Sequence, residues 1–414
     1  MGLAPHRLWA ESRLTRMHDR KLFETSVRRF LQWLGLNSTS GYDPYDLWST
    51  TYGKRARRLF YRSRIAGAVL SAPLLAAELL FPAAARRSIQ KKQYATSHAH
   101  LILGLVDLYR SGLGDEYLER AVALDHELDQ IKIDGYSGAC WGYPFDWENR
   151  RGLWPKNTPL ITVTPYGFEA YLALYEATGK DIYRERARSV VAFALKDINN
   201  TARPDGSIAS SYSPLDNSLI INASAYRAFV LTAGHVLFGD EQAGELADKL
   251  IRFVISSQQA DGSWPYAIEA EGDDFIDHFH TCFVLKNLAK INKLRKDDDL
   301  RQPIEKGYSY YEKALFYGDG LPRPFSFGVA RSLKYNLYDF AEAINLGIVL
   351  RDLMPRAFER SIDIATKTVR DFQLDDGHFV TSVNRLGMEN KLAFIRWPQA
   401  QMFHALASLI KALD

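Results

Sequence analysis

The sequence predicts an all-α protein closed into a double-layered ring of six helical hairpins, an (α/α)6 toroid, with a basic helical extension at its N-terminus. Three observations predict it. An Asp-Gly turn recurs at a nearly constant spacing, apolar residues between the turns return every three or four positions, and the segments after each turn are apolar almost all round whereas those before it are not.

The turns are Asp134-Gly135, Asp205-Gly206, Asp261-Gly262, Asp319-Gly320 and Asp376-Gly377, separated by 71, 56, 58 and 57 residues. Such a period means that one supersecondary unit is copied along the chain, with one insertion in the first interval. Two helices of about 15 residues, at about 1.5 Å rise per residue, fill the period together with two loops. The segment Glu245 to Ser257 precedes a turn and carries Leu246, Leu250, Phe253 and Val254 on one face against Asp248, Lys249 and Arg252 on the other, the pattern of an outer helix. Thr281 to Ile291, Ala223 to Ala233 and Ala400 to Leu413 follow turns and suit an inner layer. Five turns plus a hairpin through Thr96 to Ile131 make six units, and six close a ring. Residues 96–414 are therefore expected to form the toroid, and residues 1–95 a basic helical region packed on it or leading into it.

With 47% hydrophobic and 24% charged residues, the 414-residue chain has the composition of a folded protein and lies outside the disordered and fibrous classes. Cys140 and Cys282 cannot build a disulfide framework and lack zinc-ligand spacing, and the start has no apolar run suited to a secretory signal. A cytoplasmic location is expected. Between Met1 and Lys92, 17 Lys and Arg stand against 6 Asp and Glu. These basic residues surround an apolar stretch rather than interleaving with stacking aromatics, which argues against nucleic acid and leaves an anionic membrane surface as the possible partner of this region.

That stretch, Ile65 to Pro82, is flanked by Arg62 and Arg64 before it and Arg86 and Arg87 after it. Glu78 within it and Pro73 interrupting it argue against a membrane span. Two readings remain: a buried helical segment, or a monotopic patch on anionic lipid.

In a closed ring, the stretches after the turns, at the start of each inner helix, converge on one cavity. The first holds Cys140, Trp141, Asp146, Trp147 and Glu148; the second Tyr212, Asp216 and Asn222; the third Trp264, Tyr266, Asp277, His278 and His280; the fourth Tyr335, Tyr338 and Asp339; the last Arg396, Trp397 and Gln399. Aromatic rings beside carboxylates, imidazoles and a guanidinium suit sugars, whose rings have apolar faces edged by hydroxyls. The Asp of each Asp-Gly turn is assigned to the turn itself. His278 and His280, two apart on a helix, point in different directions and should not share a role. No H-E-x-x-H or comparable spacing supports a metal, and no cofactor is expected. Arg396 could pair with a structural Asp or with a uronate. Cys140 beside Trp141 reads as a small buried thiol.

The stretches Tyr42-Asp43-Pro44-Tyr45-Asp46, Cys140 to Trp147, Asn222-Ala223-Ser224-Ala225, and Phe279-His280-Thr281 with Val284-Leu285 resemble a family of bacterial proteins encoded with exopolysaccharide and capsule assembly genes, within the six-hairpin glycosidase-like toroids. The resemblance runs from about residue 42 to the end. It implies a carbohydrate-handling ring, since related toroids include unsaturated glucuronyl hydrolases and the helical domain of glucuronyl C5-epimerases. It also implies that Ile65 to Pro82 is packed N-terminal structure. It carries over no catalytic residue.

Three functions compete. The first is an enzyme on a uronate-containing polysaccharide or its lipid-linked precursor. Epimerisation or elimination would use Tyr212 or His280 as base, with Arg396 neutralising the carboxylate. Hydrolysis would draw two carboxylates, about 5 to 10 Å apart, from Asp146, Glu148, Asp216, Asp277 and Asp339. In these roles Trp141, Trp147, Glu148, Asn222, Trp264, Tyr266, His278, Tyr335, Asp339, Trp397 and Gln399 would contact the glycan. The second is a non-catalytic glycan-binding scaffold of the same pathway. The third is a terpene-cyclase-like ring, suggested by Gln258 to Trp264 and by Asp273-Asp274-x-x-Asp277.

Overall fold

A computed structural model describes residues 5–268, 275–296, 298–326 and 333–414. Among these described residues fourteen α-helices follow in chain order: α1 (Pro5–Asn37), α2 (Thr51–Arg62), α3 (Arg64–Leu80), α4 (Ala95–Arg110), α5 (Glu116–Gln130), α6 (Thr164–Thr178), α7 (Asp181–Lys196), α8 (Ile221–Phe238), α9 (Glu241–Ser256), α10 (His278–Arg295), α11 (Arg301–Ala314), α12 (Leu337–Val349), α13 (Pro355–Phe372) and α14 (Ala400–Ala412). The inner layer is α4, α6, α8, α10, α12 and α14, each packed on the next, and α14 packs back on α4 to close the ring. In α8 every residue from Ile221 to Gly234 is buried, including Arg227, whose guanidinium donates to the Ala194 carbonyl and to Asn200. The outer helices α5, α7, α9, α11 and α13 bury one face each.

The twelfth helix of the ring comes from the opposite end of the sequence. Helix α1 packs on α13 and α14. Phe30 stacks on Phe403 at 5.3 Å, Gln373 donates to the Ser26 carbonyl at 3.0 Å, and Arg29 to the Leu374 carbonyl at 2.8 Å. Residues before 95 thus supply the outer partner of the last inner helix as well as the α2–α3 hairpin. The sequence count of six hairpins left one outer helix unassigned, because α1 meets its neighbours across more than 300 residues of chain.

All five Asp-Gly turns place the glycine at positive φ, from 79° to 105°, where a side chain would be strained. Four of their Asp side chains accept the backbone N–H two residues on, at Ser207, Ser263, Leu321 and His378, an Asx turn that reverses the chain between layers.

Helix α3 departs from both expectations that called Ile65 to Pro82 packed. Only Gly67 and Ser71 are buried, and most of its apolar side chains face solvent. No described helix is long and apolar enough to cross a membrane.

Candidate functional site

The six inner helices begin at one end of the ring, and a cavity of about 440 Å³ lies over their N-terminal ends. Thr96 from α4, Tyr166 from α6, Ile220 before α8, His280 from α10, Tyr338 from α12 and Gln401 from α14 each supply part of its wall. The five stretches after the turns all reach it, through Tyr143 and Trp147, Tyr212, Tyr266 and Asp277, Tyr338, and Arg396 and Trp397. Helix α2 closes one side with Arg57 and Tyr61.

Helix α10 starts at Asp277, whose carboxylate accepts the His280 backbone N–H at 3.0 Å and so caps the helix. The same carboxylate lies 2.7 Å and 2.9 Å from Nδ1 of the His280 ring. A carboxylate only accepts, so Nδ1 carries the hydrogen and neutral His280 keeps Nε2 as an acceptor. Tyr266 packs 4.6 Å from the imidazole and Phe279 4.2 Å. Asp277 is the only carboxylate among the described lining residues.

Four phenols of the wall are held protonated. Burial outweighs the opposing Arg396 and, with smaller help from Tyr45 and Asp43, pushes Tyr143 up to about 12, and burial foremost drives Tyr166, Tyr212 and Tyr338 well above their ordinary value.

Of the residues singled out in the sequence, Tyr212, Asp277, His280, Tyr338, Arg396, Trp147, Tyr266 and Trp397 meet on this cavity. Arg396 does so with its charge already matched. Its Nε and Nη2 donate to both oxygens of Asp43, the second at 3.0 Å, and its guanidinium lies 4.7 Å from the Tyr143 ring centre and 5.0 Å from that of Trp397. Burial alone would lower its affinity for its proton, but Asp43 and Tyr143 outweigh that and raise it. Asp43 is thus a structural partner of Arg396.

The others lie off the cavity, each for a visible reason. Asp146 pairs with Lys54 at 2.6 Å and Glu148 with Arg58 at 2.8 Å, two bridges that fasten the Trp147–Asn149 and Gly152–Trp154 hairpin to α2. Asp216 organises its own loop, accepting from the Ser213 and Ser218 backbone N–H groups at 2.7 Å and 3.1 Å. Trp141 and Trp264 are buried between layers, their indole N–H groups donating to the Leu128 and Val254 carbonyls. His278 is fully buried, its Nδ1 donating to the Leu315 carbonyl and its Nε2 accepting from Tyr311. Tyr335 donates to Asp319, and Gln399 bonds both backbone groups of Phe379. Asn222 and Asp339 are buried within α8 and α12. Cys140 is buried, and desolvation first, then Asp197 and Asp134, pushes its thiol up to about 12, away from reactivity.

Asp273 and Asp274 of the acidic motif lie outside the described residues; Asp277 serves His280. Gln258 donates to the Gly262 and Pro303 carbonyls, which makes it part of a turn. No group of three or more His, Cys, Asp or Glu that could hold a metal ion occurs among the described residues.

Sequence reasoning missed Arg57, Tyr61, Trp154, Tyr166 and Gln401. Arg57 was visible only as one of several basic residues, although Arg57 and Tyr61 stand one helical turn apart. Its Nη2 donates to the Tyr61 hydroxyl at 3.0 Å, and the guanidinium lies 5.3 Å from the Tyr45 ring centre. Among the described residues no carboxylate pairs with it.

No protein-family model matches the chain, and no curated protein sequence matches it. Solved structures do. An unsaturated glucuronyl hydrolase specific for heparin is 13% identical, with a TM-score of 0.62 and 95% of each chain covered. The cellobiose 2-epimerase of Bacillus thermoamylovorans is 13% identical, with a TM-score of 0.60, 77% of this chain and 87% of that one covered. The GH76 α-mannanase BT2949 of Bacteroides thetaiotaomicron is 12% identical, with a TM-score of 0.57, 78% of this chain and 86% of that one covered. At these identities the likeness is one of architecture, and it shows that the chain has the (α/α)6 toroid fold of the six-hairpin glycosidase-like proteins.

Proposed function

We propose that the protein is an enzyme that removes the proton α to the carboxylate of a uronate residue in an acidic glycan, leading to epimerisation or elimination. The observation that carries this reading is the Asp277–His280 pair, an oriented acid–base group on a cavity whose other described ionic side chains are the arginines Arg57, Arg150, Arg151 and Arg396.

The aromatic wall suits a pyranose ring, and the six helix N-termini together with Arg57 favour an anion. His280 Nε2 takes the proton from carbon, and the electron pair moves into the carboxylate, whose developing charge Arg57 faces. The intermediate then either regains a proton at carbon on its other face, giving the epimer, or expels the oxygen substituent at the β carbon, giving an unsaturated sugar. A protonated phenol is the donor in either case. Tyr212, held neutral by burial, suits donation and not the role of base. Hydrolysis by two carboxylates has less support, because Asp146, Glu148, Asp216 and Asp339 stand off the cavity. Structural neighbours that include a glucuronyl hydrolase, an epimerase and a polysaccharide lyase add to the case for a glycan. The enzyme would belong to bacterial surface-polysaccharide synthesis or modification.

Incubation with uronate-containing oligosaccharides in deuterated water tests the reading. Deuterium at carbon, or absorbance near that of a conjugated unsaturated uronate, is expected. New reducing ends with neither would replace it with hydrolysis, and binding without turnover would leave a scaffold.

A further inference from the structure

Helix α3 inverts the usual arrangement of a surface helix. Every exposed residue from Ile65 to Phe81 is apolar, and Ile65, Val69, Leu75, Leu79, Leu80 and Phe81 are between 53% and 83% exposed. The polar side chains turn inward: Ser71 is buried, and Glu78 pairs at 2.6 Å with the fully buried Arg86. A single apolar side chain on a surface is ordinary, but a continuous apolar helix face is a contact surface.

The same helix is fixed on the body of the protein. Gly67 lies against the backbone of Phe60 with no room for a side chain, and the Tyr52 hydroxyl donates to the Leu70 carbonyl at 2.7 Å. Helix α2 beneath it is held to the ring by the Lys54–Asp146 and Arg58–Glu148 bridges, and Arg57 and Tyr61 of α2 face the cavity.

Charge selects the occupant of this face. Arg62 and Arg64 are exposed at one end, and Arg87 and Lys91 at the other. A second copy of this chain would bring cations against cations, whereas an anionic lipid surface matches both ends. At 17 residues, about 25 Å of helix, α3 is shorter than the ~30 Å hydrocarbon core and is packed on α2 through Gly67 and Leu70, so it suits lying in the plane. We infer that α3 docks the protein on an anionic bilayer, its apolar face in the interfacial layer and its basic ends against headgroups. The cavity wall formed by α2 then stands about one helix diameter, ~10 Å, from the lipid. This inference is independent of the chemistry proposed for the cavity.

The test uses the full chain with sedimented vesicles of phosphatidylcholine alone or mixed with phosphatidylglycerol. Expected is binding to the mixed vesicles that falls at least tenfold in Val69→Glu/Leu75→Glu/Leu79→Glu, with an unchanged thermal midpoint because these positions are exposed. Arg62→Gln/Arg64→Gln/Arg87→Gln should lose the preference for phosphatidylglycerol. Absence of vesicle binding, or binding indifferent to the triple glutamate variant, would overturn the inference. So would a concentration-dependent dimer in sedimentation velocity that the same variant dissolves while vesicles are ignored; the face would then belong to a second copy.

Discussion

The Asp277 carboxylate lies 2.7 Å from Nδ1 of His280 while also accepting the backbone N–H of the same residue at 3.0 Å. One side chain thus begins helix α10 and sets the tautomer of the imidazole beside the cavity. Asn at position 277 can still cap the helix but cannot supply the charge. Asp277→Asn should therefore keep stability within about 1 kcal/mol and lower kcat by about 10²–10⁴. His280→Gln should cost a similar factor. Urea denaturation alongside turnover checks the pair of outcomes, and a D277N enzyme of undiminished kcat would remove His280 from the chemistry.

Arg57 and Arg396 both face the cavity, and their environments predict opposite phenotypes. Arg396 is neutralised by Asp43, whereas Arg57 has rings and the Tyr61 hydroxyl around it. Arg57→Ala should raise KM for acidic glycans about tenfold or more, the scale of one charge-assisted contact, and change neutral ones little. Equal losses for both would show that Arg57 only shapes the wall.

For the Asp43–Arg396 pair the expected effect is on folding. It joins the loop before α2 to the segment entering α14, across 353 residues of chain. Removing one partner leaves a buried charge alone, so Asp43→Asn or Arg396→Met should each destabilise by about 3–5 kcal/mol. The double variant should cost less than the sum of the two. Additive losses in a urea double-mutant cycle would deny the coupling.

That pair also explains what could be read from the sequence and what could not. The ring was legible because the Asp-Gly period and the apolar inner helices are local patterns. The mouth of the ring was legible for the same reason, since each stretch follows its own turn. Which residue within a stretch faces the cavity was not legible. Asp146 and Glu148 look like cavity residues until Lys54 and Arg58 claim them, and Arg396, which does reach the cavity, looks like a free cation until Asp43 matches its charge; those partners lie about 90 to 350 residues away. Helix α1 escaped assignment to the ring for the same reason. The exposure of α3 was hidden by composition, because an apolar run reads as core whichever way it faces.

Asp339 is a buried acid within α12, with no well-formed hydrogen bond to either oxygen. Burial, reinforced by Asp277 and Glu342 and opposed only weakly by the nearby Asn336 side chain, drives its carboxyl well above the ordinary range. The folded protein then holds a proton that the unfolded chain has released, so stability is greatest below about pH 4 and declines as pH rises toward the folded value. Asp339→Asn removes that loss. It should stabilise by about 1–3 kcal/mol at neutral pH, and by less at pH 5. Urea midpoints at the two values test this, and a destabilised D339N protein at pH 7 would mean that the ionised form is the native one.

Buried imidazoles should make the fold acid-sensitive with the opposite sign. Burial, partly offset by bonds to backbone carbonyls, lowers His278 to about 3. Burial with Lys286 and Lys411 outweighs Asp107 and Glu169 and lowers His404 to about 4. His100, whose Nδ1 lies 2.9 Å from that of His404, is lowered well below its ordinary value by burial first and by His404 next. Below about pH 6.5 the unfolded chain binds protons that these rings refuse, so stability is intact above that pH and falls as pH drops toward 4. Each ring contributes up to about 1.4 kcal/mol per pH unit. His278→Gln removes one of them, so between pH 6 and 5 its unfolding free energy should change less steeply than that of the wild type by about that amount. Parallel slopes in urea titrations at the two pH values would show that His278 is protonated in the folded state.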